Sequence, residues 1–265
     1  MVLIAIAISI SGVTHSVHLE PYLAQQSTVT ATINGVTGRF LFDTGQGLSA
    51  ISPSFAQRIG CHPWGQISGF RMSGERLDAP HCDNLRFAAA GFDKNLPAVA
   101  VLDVMKFIGT GVPAVDGAVG LDAFAGEKIT IVPRAAVIVE TASSLTERVR
   151  RGRELPVRLV RDVEGLALSV DAAVPTRAGM AWMELDTGNG GSLVIADHIA
   201  PLLGLGTQVT EPTPVVFKLA NGLTVKGKAR TRSLIMDGNI GAQFINQWQL
   251  SLDLAAARAW LTPVE

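Results

Sequence analysis

The sequence predicts an all-β protein with few short helices, made of two similar halves. Its 265 residues include 27 glycines and many valines, isoleucines and threonines, a composition typical of short strands joined by tight turns. Three short motifs of the first half also recur, in the same order, in the second half. The length suits one large domain or two small ones, and either can bury a sizeable core.

Charge and hydropathy exclude several functional classes. The chain carries 22 basic and 23 acidic residues, so it lacks the positive excess that electrostatic nucleic-acid binding requires. A hydrophobic content of 48 % excludes intrinsic disorder. No segment approaches the roughly 20 apolar residues that span a bilayer. We therefore expect neither a nucleic-acid partner nor a stable membrane span.

The most apolar run of the chain lies at its N-terminus. Residues 2–8 are uninterrupted apolar residues, followed by small residues at Ser9 and Ser11. We interpret residues 1–16 as a signal segment, because an apolar core before small residues is typical of secretory signals. This interpretation predicts a periplasmic or secreted protein. A buried first strand is the alternative, with a cytoplasmic location, since the segment has no basic start.

The two cysteines, Cys61 and Cys82, allow one disulfide at most. In an oxidising compartment they could pair, and otherwise they remain two thiols. Each cysteine has an adjacent histidine, His62 or His81, which raises the alternative of a zinc site. Structural zinc sites usually separate paired ligands by two to four residues, so this spacing disfavours zinc. We predict no metal and no cofactor.

The clearest repeat is a strand followed by an Asp-Thr-Gly turn. Residues 43–45 and residues 186–188 both have this sequence, and mostly apolar residues precede each copy. A buried strand that ends at a carboxylate is costly unless that carboxylate is hydrogen-bonded. The threonine can supply a hydroxyl, and the glycine permits a sharp turn with close backbone approach.

Further segments repeat in the same order. Each half continues with a predicted short helix ending at glycine, a hairpin, an apolar segment ending at glycine, and a closing strand. Ser52 and Asp197 are the predicted N-caps of the two helices. The paired segments are residues 52–60 and 196–204, 70–77 and 217–224, 116–120 and 237–241, and 129–131 and 250–252.

These repeats define the predicted domain organisation. Residues 17–143 form an N-terminal lobe, residues 144–154 a charged linker, and residues 155–265 a C-terminal lobe. The densest charge run of the chain, residues 147–154, falls in the linker. We interpret this run as a solvated connection; a patch that binds an anionic surface is the alternative.

Two copies of a turn that carries a carboxylate have a chemical consequence. If the halves pack around a pseudo-twofold axis, the equivalent turns meet at that axis. Two carboxylates about 4 Å apart repel by roughly 4 kcal/mol at an effective dielectric near 20, which corresponds to about three pKa units. Such a pair holds one proton between its members. One group can then act as a base on a water molecule while its partner donates a proton to a carbonyl oxygen.

The motifs resemble those of the aspartic peptidases, in particular bacterial retropepsin-like and pepsin-like proteins with two lobes in one chain. The family motif is an apolar strand with Asp-Thr-Gly, followed later by an apolar-apolar-Gly segment. Residues 41–45 and 118–120 match it in the first half, and residues 184–188 and 239–241 in the second. The resemblance implies two retropepsin-like β-barrel lobes related by a pseudo-twofold axis.

The family also implies roles for the residues of the motif. Asp43 and Asp186 correspond to the catalytic pair. The adjacent residues would support the active-site loops, the threonines by hydrogen bonds to the opposite lobe and the glycines by allowing close approach. These supporting residues are Thr44, Gly45, Thr187 and Gly188.

The substrate expected from the resemblance is an extended peptide or protein chain in the cleft between the lobes. The hairpin tips at Ser73-Gly74 and Asn221-Gly222 are candidates for flaps that cover this substrate. Because one chain supplies both lobes, we expect a monomer that forms an intramolecular pseudo-dimer.

Two functional hypotheses follow. The first is an aspartic endopeptidase, which includes a form activated by removal of the N-terminal segment. The second is a non-catalytic peptide-binding module. It is motivated by Gln46 and Asn189, which follow Asp-Thr-Gly where the family usually has Ala, Ser or Thr, and by Glu184 and Asn239, which replace apolar residues.

Overall fold

The structure confirms the predicted all-β architecture. This computed structural model describes residues 13–264, and within that range it has twenty strands and four short α-helices. The apolar run at residues 2–8 lies outside the described residues. Nowhere between residues 13 and 264 is a helix long and apolar enough to cross a membrane.

Ten strands precede residue 150 and ten follow it. The first ten are β1 (His15–Pro21), β2 (Ser27–Ile33), β3 (Val36–Phe42), β4 (Ala50–Ile51), β5 (Trp64–Phe70), β6 (Arg76–Ala89), β7 (Phe92–Val101), β8 (Gly117–Val119), β9 (Lys128–Val132) and β10 (Ala136–Glu140). The second ten are β11 (Arg153–Leu155), β12 (Val157–Val160), β13 (Ser169–Thr176), β14 (Gly179–Asp186), β15 (Leu193–Ala196), β16 (Thr213–Lys218), β17 (Thr224–Arg232), β18 (Gly238–Gly241), β19 (Trp248–Asp253) and β20 (Arg258–Pro263).

The helices are short and lie between strands. The α-helices are α1 (Pro53–Arg58), α2 (Met105–Ile108), α3 (Ala142–Arg148) and α4 (Ala242–Ile245). Single 3-10 turns occur at Leu121–Phe124, Val149–Arg151, Val163–Gly165 and Ala200–Leu203.

The first lobe is a closed barrel. Its strand order runs from β2 through β3, β8, β4 and β7 to β6, and a further pairing of β2 with β6 closes it. The interior is filled by aromatic side chains that are at most 2 % exposed, and their rings meet edge to face. These side chains include Phe40, Phe42, Phe55 and Phe124.

The second lobe repeats the central connectivity of the first. Its strand order is β12-β13-β14-β18-β15-β17-β16. Strand β14 runs parallel to β18, as β3 does to β8. Strand β15 is antiparallel to β18 and parallel to β17, as β4 is to β8 and β7. The two lobes therefore have equivalent central strands, and the predicted two-lobed architecture is confirmed.

The pseudo-twofold axis passes through a sheet that both lobes share. Strand β9 of the first lobe pairs antiparallel with β19 of the second. Thr130 lies opposite Ser251, and their hydroxyl oxygens are 2.8 Å apart. These two residues are equivalent in the sequence repeat. A residue that pairs with its own equivalent lies on a twofold axis, so the axis passes through this pair.

Of the two predicted N-caps, one is confirmed and one is wrong. Ser52 Oγ accepts a hydrogen bond of 3.1 Å from the main-chain N–H of Phe55 in α1. In the second lobe the turn begins only at Ala200, and the Asp197 carboxylate instead accepts a main-chain hydrogen bond from a later loop. Pro201 explains the shift, because proline is tolerated only in the first turn of a helix.

The predicted equivalence of the hairpins at residues 70–77 and 217–224 is wrong. The first hairpin joins β5 to β6, and the second joins β16 to β17. Strand β17 lies parallel to β15 as β7 lies parallel to β4, so the β16–β17 hairpin corresponds to the β6–β7 hairpin with its turn at residues 90–91. Short turns of this kind are alike in sequence, and only the pairing partners distinguish them.

Of the alternatives for the cysteines, the structure has the disulfide. Cys61 and Cys82 are bonded, with Cα atoms 6.3 Å apart, and the bond ties the segment after α1 to β6. The neighbouring His81 packs against Trp64 and contacts the carboxylate of Asp83 at 3.2 Å. Among the residues that the structure describes, no three His, Cys, Asp or Glu side chains are grouped as metal ligands.

The charged segment between the lobes is folded. It consists of α3, the 3-10 turn after it and the start of β11, and it packs on strands of the shared sheet. Arg150 pairs with Glu147 at 2.7 Å, and Arg258 pairs with Glu154 at 2.8 Å. These side chains are exposed, as expected of a solvated connection. The exact domain limits stay a prediction.

Candidate active site

The two Asp-Thr-Gly turns meet at the interface between the lobes. The N–H of Thr44 donates to Thr187 Oγ1 and the N–H of Thr187 donates to Thr44 Oγ1, both at 3.0 Å. Each hydroxyl donates in turn to a carbonyl of the opposite lobe, Thr44 to Leu185 at 2.6 Å and Thr187 to Phe42 at 3.2 Å. We call these four hydrogen bonds the threonine brace. Because every bond crosses the interface, the brace fixes each turn relative to the other.

Glycine is required in both turns because each backbone lies against the carboxylate of the other lobe. A Cβ atom on Gly45 would lie 2.5 Å from Cγ of Asp186. A Cβ atom on Gly188 would overlap the Asp43 carboxylate. Real side chains do not approach so closely, so any larger residue would push the two aspartates apart.

The brace brings the carboxylates of Asp43 and Asp186 within hydrogen-bonding distance of each other. Burial raises the pKa of Asp43 well above its usual range, and the negative charge of Asp186 raises it further. The main-chain N–H groups of Gly45 and Gly188 offset only part of this rise. Asp43 therefore retains a proton at a pH where an exposed aspartate has lost it.

Three donors converge on the other carboxylate. Oδ1 of Asp186 accepts the main-chain N–H groups of Gly188 at 2.7 Å and Asn189 at 3.0 Å. Oδ2 accepts the side-chain amide of Asn239 at 2.6 Å. Asp186 thus has a side-chain donor, Asn239, in addition to the main-chain donors of its own turn.

The two polar residues that replace apolar ones in the second half, Glu184 and Asn239, contact each other beside Asp186. Glu184 is 6 % exposed, and its carboxylate accepts a 3.1 Å hydrogen bond from the Asn239 amide that also bonds Asp186. Burial, followed by the charge of Asp186, raises the pKa of Glu184 well above its usual range. Glu184 and Asn239 lie opposite each other on β14 and β18, as Leu41 and Ala118 do on β3 and β8. The sequence shows the polar replacement, and the strand pairs show that the two replaced residues face each other.

The long amides after the two turns have separate roles. Asn189 donates from its side chain to Oδ1 of Asn239 at 2.8 Å, so it holds the amide that bonds Asp186. Gln46 lines the cleft between the lobes. A third amide, Gln26, donates to the carbonyl of Gly188 and ties β1–β2 of the first lobe to the second turn.

Asp43 and Asp186 line a cleft of about 680 Å³ between the lobes. The β5–β6 hairpin covers it, since Phe70, Ser73 and Leu77 line the same cleft. At its tip, the carbonyl of Met72 accepts a 3.0 Å hydrogen bond from the N–H of Ile235 in the second lobe. The Ser73-Gly74 hairpin therefore spans the cleft from one lobe to the other, as a flap would.

The structure does not bring the second predicted flap, Asn221-Gly222, to this cleft. Asn221 caps its own turn, where its side-chain oxygen accepts the N–H of Leu223 at 3.1 Å. The neighbouring N–H of Ala220 bonds the carbonyl of Ala173 in β13 at 2.9 Å. This end of the β16–β17 hairpin lies away from the residues that line the cleft.

A buried carboxylate, Asp122, connects the segment after the first Asp-Thr-Gly turn to the apolar-apolar-Gly segment through Ser49. Oδ1 and Oδ2 of Asp122 accept the hydroxyl of Ser49 at 2.7 Å and its N–H at 2.9 Å. Ser49 Oγ in turn accepts the N–H of Gly120 at 3.0 Å, the last residue of the repeated apolar-apolar-Gly segment. Burial raises the pKa of Asp122 to about 6, against the lowering effect of these hydrogen bonds.

Comparison with known proteins identifies the fold. Solved structures that are similar over nearly their whole length include basic 7S globulin from soybean, with a TM-score of 0.62, 10 % identity and 94 % of each chain covered. Conglutin gamma, a basic 7S globulin from lupine seeds, has a TM-score of 0.60, 9 % identity and 95 % of each chain covered. Residues 29–123 match the aspartyl protease family. The chain has the aspartic-protease fold.

The family match and the structural similarity differ in what they cover. The matched residues 29–123 contain the first Asp-Thr-Gly turn and Gly120 but end before the second lobe. The structural similarity covers both lobes, but at about 10 % sequence identity it shows only a shared fold. No curated protein sequence matches the chain. Together these findings show the fold of the chain and an aspartyl protease family match within its first lobe.

Proposed function

We propose that the protein is an aspartic endopeptidase that hydrolyses peptide bonds in extended polypeptides. The observation that carries this proposal is the meeting of Asp43 and Asp186 across the threonine brace, in a cleft large enough for a peptide. Two carboxylates with unequal environments are the acid–base pair that such a reaction needs. Since one chain supplies both, the active unit is a monomer.

The proposed reaction follows from the donors around each carboxylate. The ionised Asp186 accepts a proton from a water molecule held between the two groups, which then attacks the carbonyl carbon of the scissile bond. Protonated Asp43 donates a hydrogen bond to the carbonyl oxygen and stabilises the charge that develops there. Collapse of the tetrahedral intermediate transfers a proton to the leaving amine and returns the pair to a single shared proton.

Conservative replacement of either aspartate tests the proposal. We expect Asp43→Asn and Asp186→Asn to lower the hydrolysis of a mixed peptide library by at least about 10³-fold, because an amide cannot complete the proton transfers. Circular dichroism and thermal melting should show both variants folded. A statine-type inhibitor should block the parent protein. Retention of the parental cleavage rate in either variant would show that the aspartates are not the catalytic pair.

The alternative is a non-catalytic peptide-binding module. Glu184 favours it, because a third buried carboxylate shares the Asn239 amide with Asp186 and so alters the environment of the pair. The two similar solved structures are both described as basic 7S globulins. Saturable peptide binding from about pH 3 to pH 7 without any product, with and without removal of the N-terminal segment, would favour this function.

A further inference from the structure

A second cavity, of about 350 Å³, adjoins the cleft beside the aspartates. It lies under the β5–β6 hairpin, and Gly45 and Gln46 line both spaces. Two buried carboxylates, Asp171 and Glu184, also line it. We name this cavity the acidic pocket.

The carboxylates belong to a row of side chains that crosses the sheet of the second lobe. The strand register places Arg158 opposite Asp171, Asp171 opposite Glu184, and Glu184 opposite Asn239. Residues that lie directly opposite on neighbouring strands share one face of the sheet. The row therefore presents two adjacent acidic groups between an arginine and an amide.

The equivalent row of the first lobe has a charged residue only at its outer end. There the register places Glu20 opposite Thr28, Thr28 opposite Leu41, and Leu41 opposite Ala118. Glu184 thus occupies in the second lobe the position that Leu41 occupies in the first, each two residues before the aspartate of its own turn. An extended peptide that crosses the aspartates has residues on both sides of the scissile bond. Leu41 and Glu184 both line the cleft that would hold such a peptide.

The charge of the row is incompletely balanced. Asp171 is 3 % exposed; its Oδ2 accepts both Nε and Nη2 of Arg158 at 2.9 Å, while its Oδ1 has no hydrogen-bond partner. Within residues 13–264, no basic side chain lies at ion-pair distance from Glu184. Like charges on directly opposed positions of a sheet destabilise it. Burial accordingly raises the pKa of both Asp171 and Glu184.

The remaining walls of the acidic pocket suit an aliphatic chain. They include the apolar side chains Leu48, Ile67, Phe70, Leu77, Val163 and Ala167. Arg158 also lines the pocket and pairs with Asp171. The other charged groups there are engaged as well. Arg71 pairs with Glu75 at 3.2 Å, and Asp162 accepts the N–H of Val163 at 2.8 Å. Apolar walls that end at carboxylates match a lysine or arginine side chain, which buries its methylene stem and keeps a cationic head.

We propose that the acidic pocket binds a lysine or arginine side chain of the peptide, next to the scissile bond on the Glu184 side. The Glu184 carboxylate would accept hydrogen bonds from the cationic head, with the negative charge of Asp171 beside it. The two sides of the aspartate pair then select differently, with an apolar residue against Leu41 and a basic residue against Glu184. This inference rests on the proposed function, because it assumes that a peptide occupies the cleft.

The test separates binding from hydrolysis. Peptides with a single lysine, moved step by step along an apolar sequence, are compared with matched peptides that carry norleucine at the same position. Affinity is measured by fluorescence anisotropy with the Asp43→Asn variant, which binds without turnover. We expect lysine at one position to tighten binding by about tenfold or more over norleucine. Adding Glu184→Gln should bring that ratio close to one, and adding Asp171→Asn should lower it.

The control is Glu147→Gln, which removes the same charge from an exposed helix position away from the cleft and should leave the ratio unchanged. Binding without lysine preference at any position, or a preference that survives both Glu184→Gln and Asp171→Asn, would overturn the inference. The same peptides are then given to the parent protein. Lysine-dependent binding without cleavage would overturn the proposed hydrolysis but support the acidic pocket. Cleavage that does not depend on lysine would support the proposed hydrolysis but overturn the acidic pocket. Binding of no peptide would overturn both.

Discussion

At the scale of single residues, Thr44 and Thr187 explain how two distant segments of chain come to share one site. Each side chain makes hydrogen bonds only to the opposite lobe, and both are nearly inaccessible to solvent. The repeated Asp-Thr-Gly motif, through its resemblance to that of the aspartic peptidases, predicted these positions. The partners Leu185 and Phe42 could not be predicted from the motif alone, because they are carbonyls selected by the packing of the lobes.

Removal of one threonine hydroxyl should be costly. Thr44→Val keeps the shape but leaves the N–H of Thr187 and the carbonyl of Leu185 without partners in a buried interface. We expect the free energy of unfolding to fall by about 2–4 kcal/mol, since each unsatisfied buried group costs about 1–3 kcal/mol. Urea unfolding measures the change, and Thr44→Ser, which keeps the hydroxyl, serves as the control. Equal stability of the valine and serine variants would contradict the brace.

At the scale of elements, the two hairpins show where sequence patterns fail. Both have a glycine turn between short strands, and the sequence therefore predicted them to be equivalent flaps. The strand pairings distinguish them, since β5–β6 reaches the second lobe through Met72 and Ile235, and β16–β17 does not reach the cleft. Strand partners that are far apart in sequence are not encoded in a local turn pattern. For the same reason the sequence left the pairing of Cys61 with Cys82 open.

The short helical turn at Leu121–Phe124 contains Asp122, a buried carboxyl group whose contribution to stability depends on pH. The pKa of Asp122 is about 6 in the folded protein, above the usual 3.8. Its contribution to stability is therefore complete below about pH 4 and is lost as the pH rises through about 6, at a total cost of about 3 kcal/mol. We expect Asp122→Asn to flatten the pH dependence of the free energy of unfolding between pH 4 and pH 7. Parallel curves for parent and variant in urea unfolding would contradict this assignment.

At the scale of the whole molecule, two pairs of equivalent residues define the symmetry. Thr44 meets Thr187 at the candidate active site, and Thr130 meets Ser251 in the shared sheet. The sequence predicted that the members of each pair are equivalent, because both pairs lie in repeated motifs. It also showed that Glu184 and Asn239 replace apolar residues in the second half. It did not show that the Asn239 amide bonds both Glu184 and Asp186, because that contact depends on the register of β14 and β18.

A crystal structure of the protein with a statine-type peptide would show whether the two aspartates act on one substrate. We expect the statine hydroxyl to lie within hydrogen-bonding distance of both Asp43 and Asp186, with the peptide extended through the cleft beneath the Ser73-Gly74 hairpin. A peptide bound elsewhere, or aspartates too far apart for both to reach the hydroxyl, would contradict this expectation.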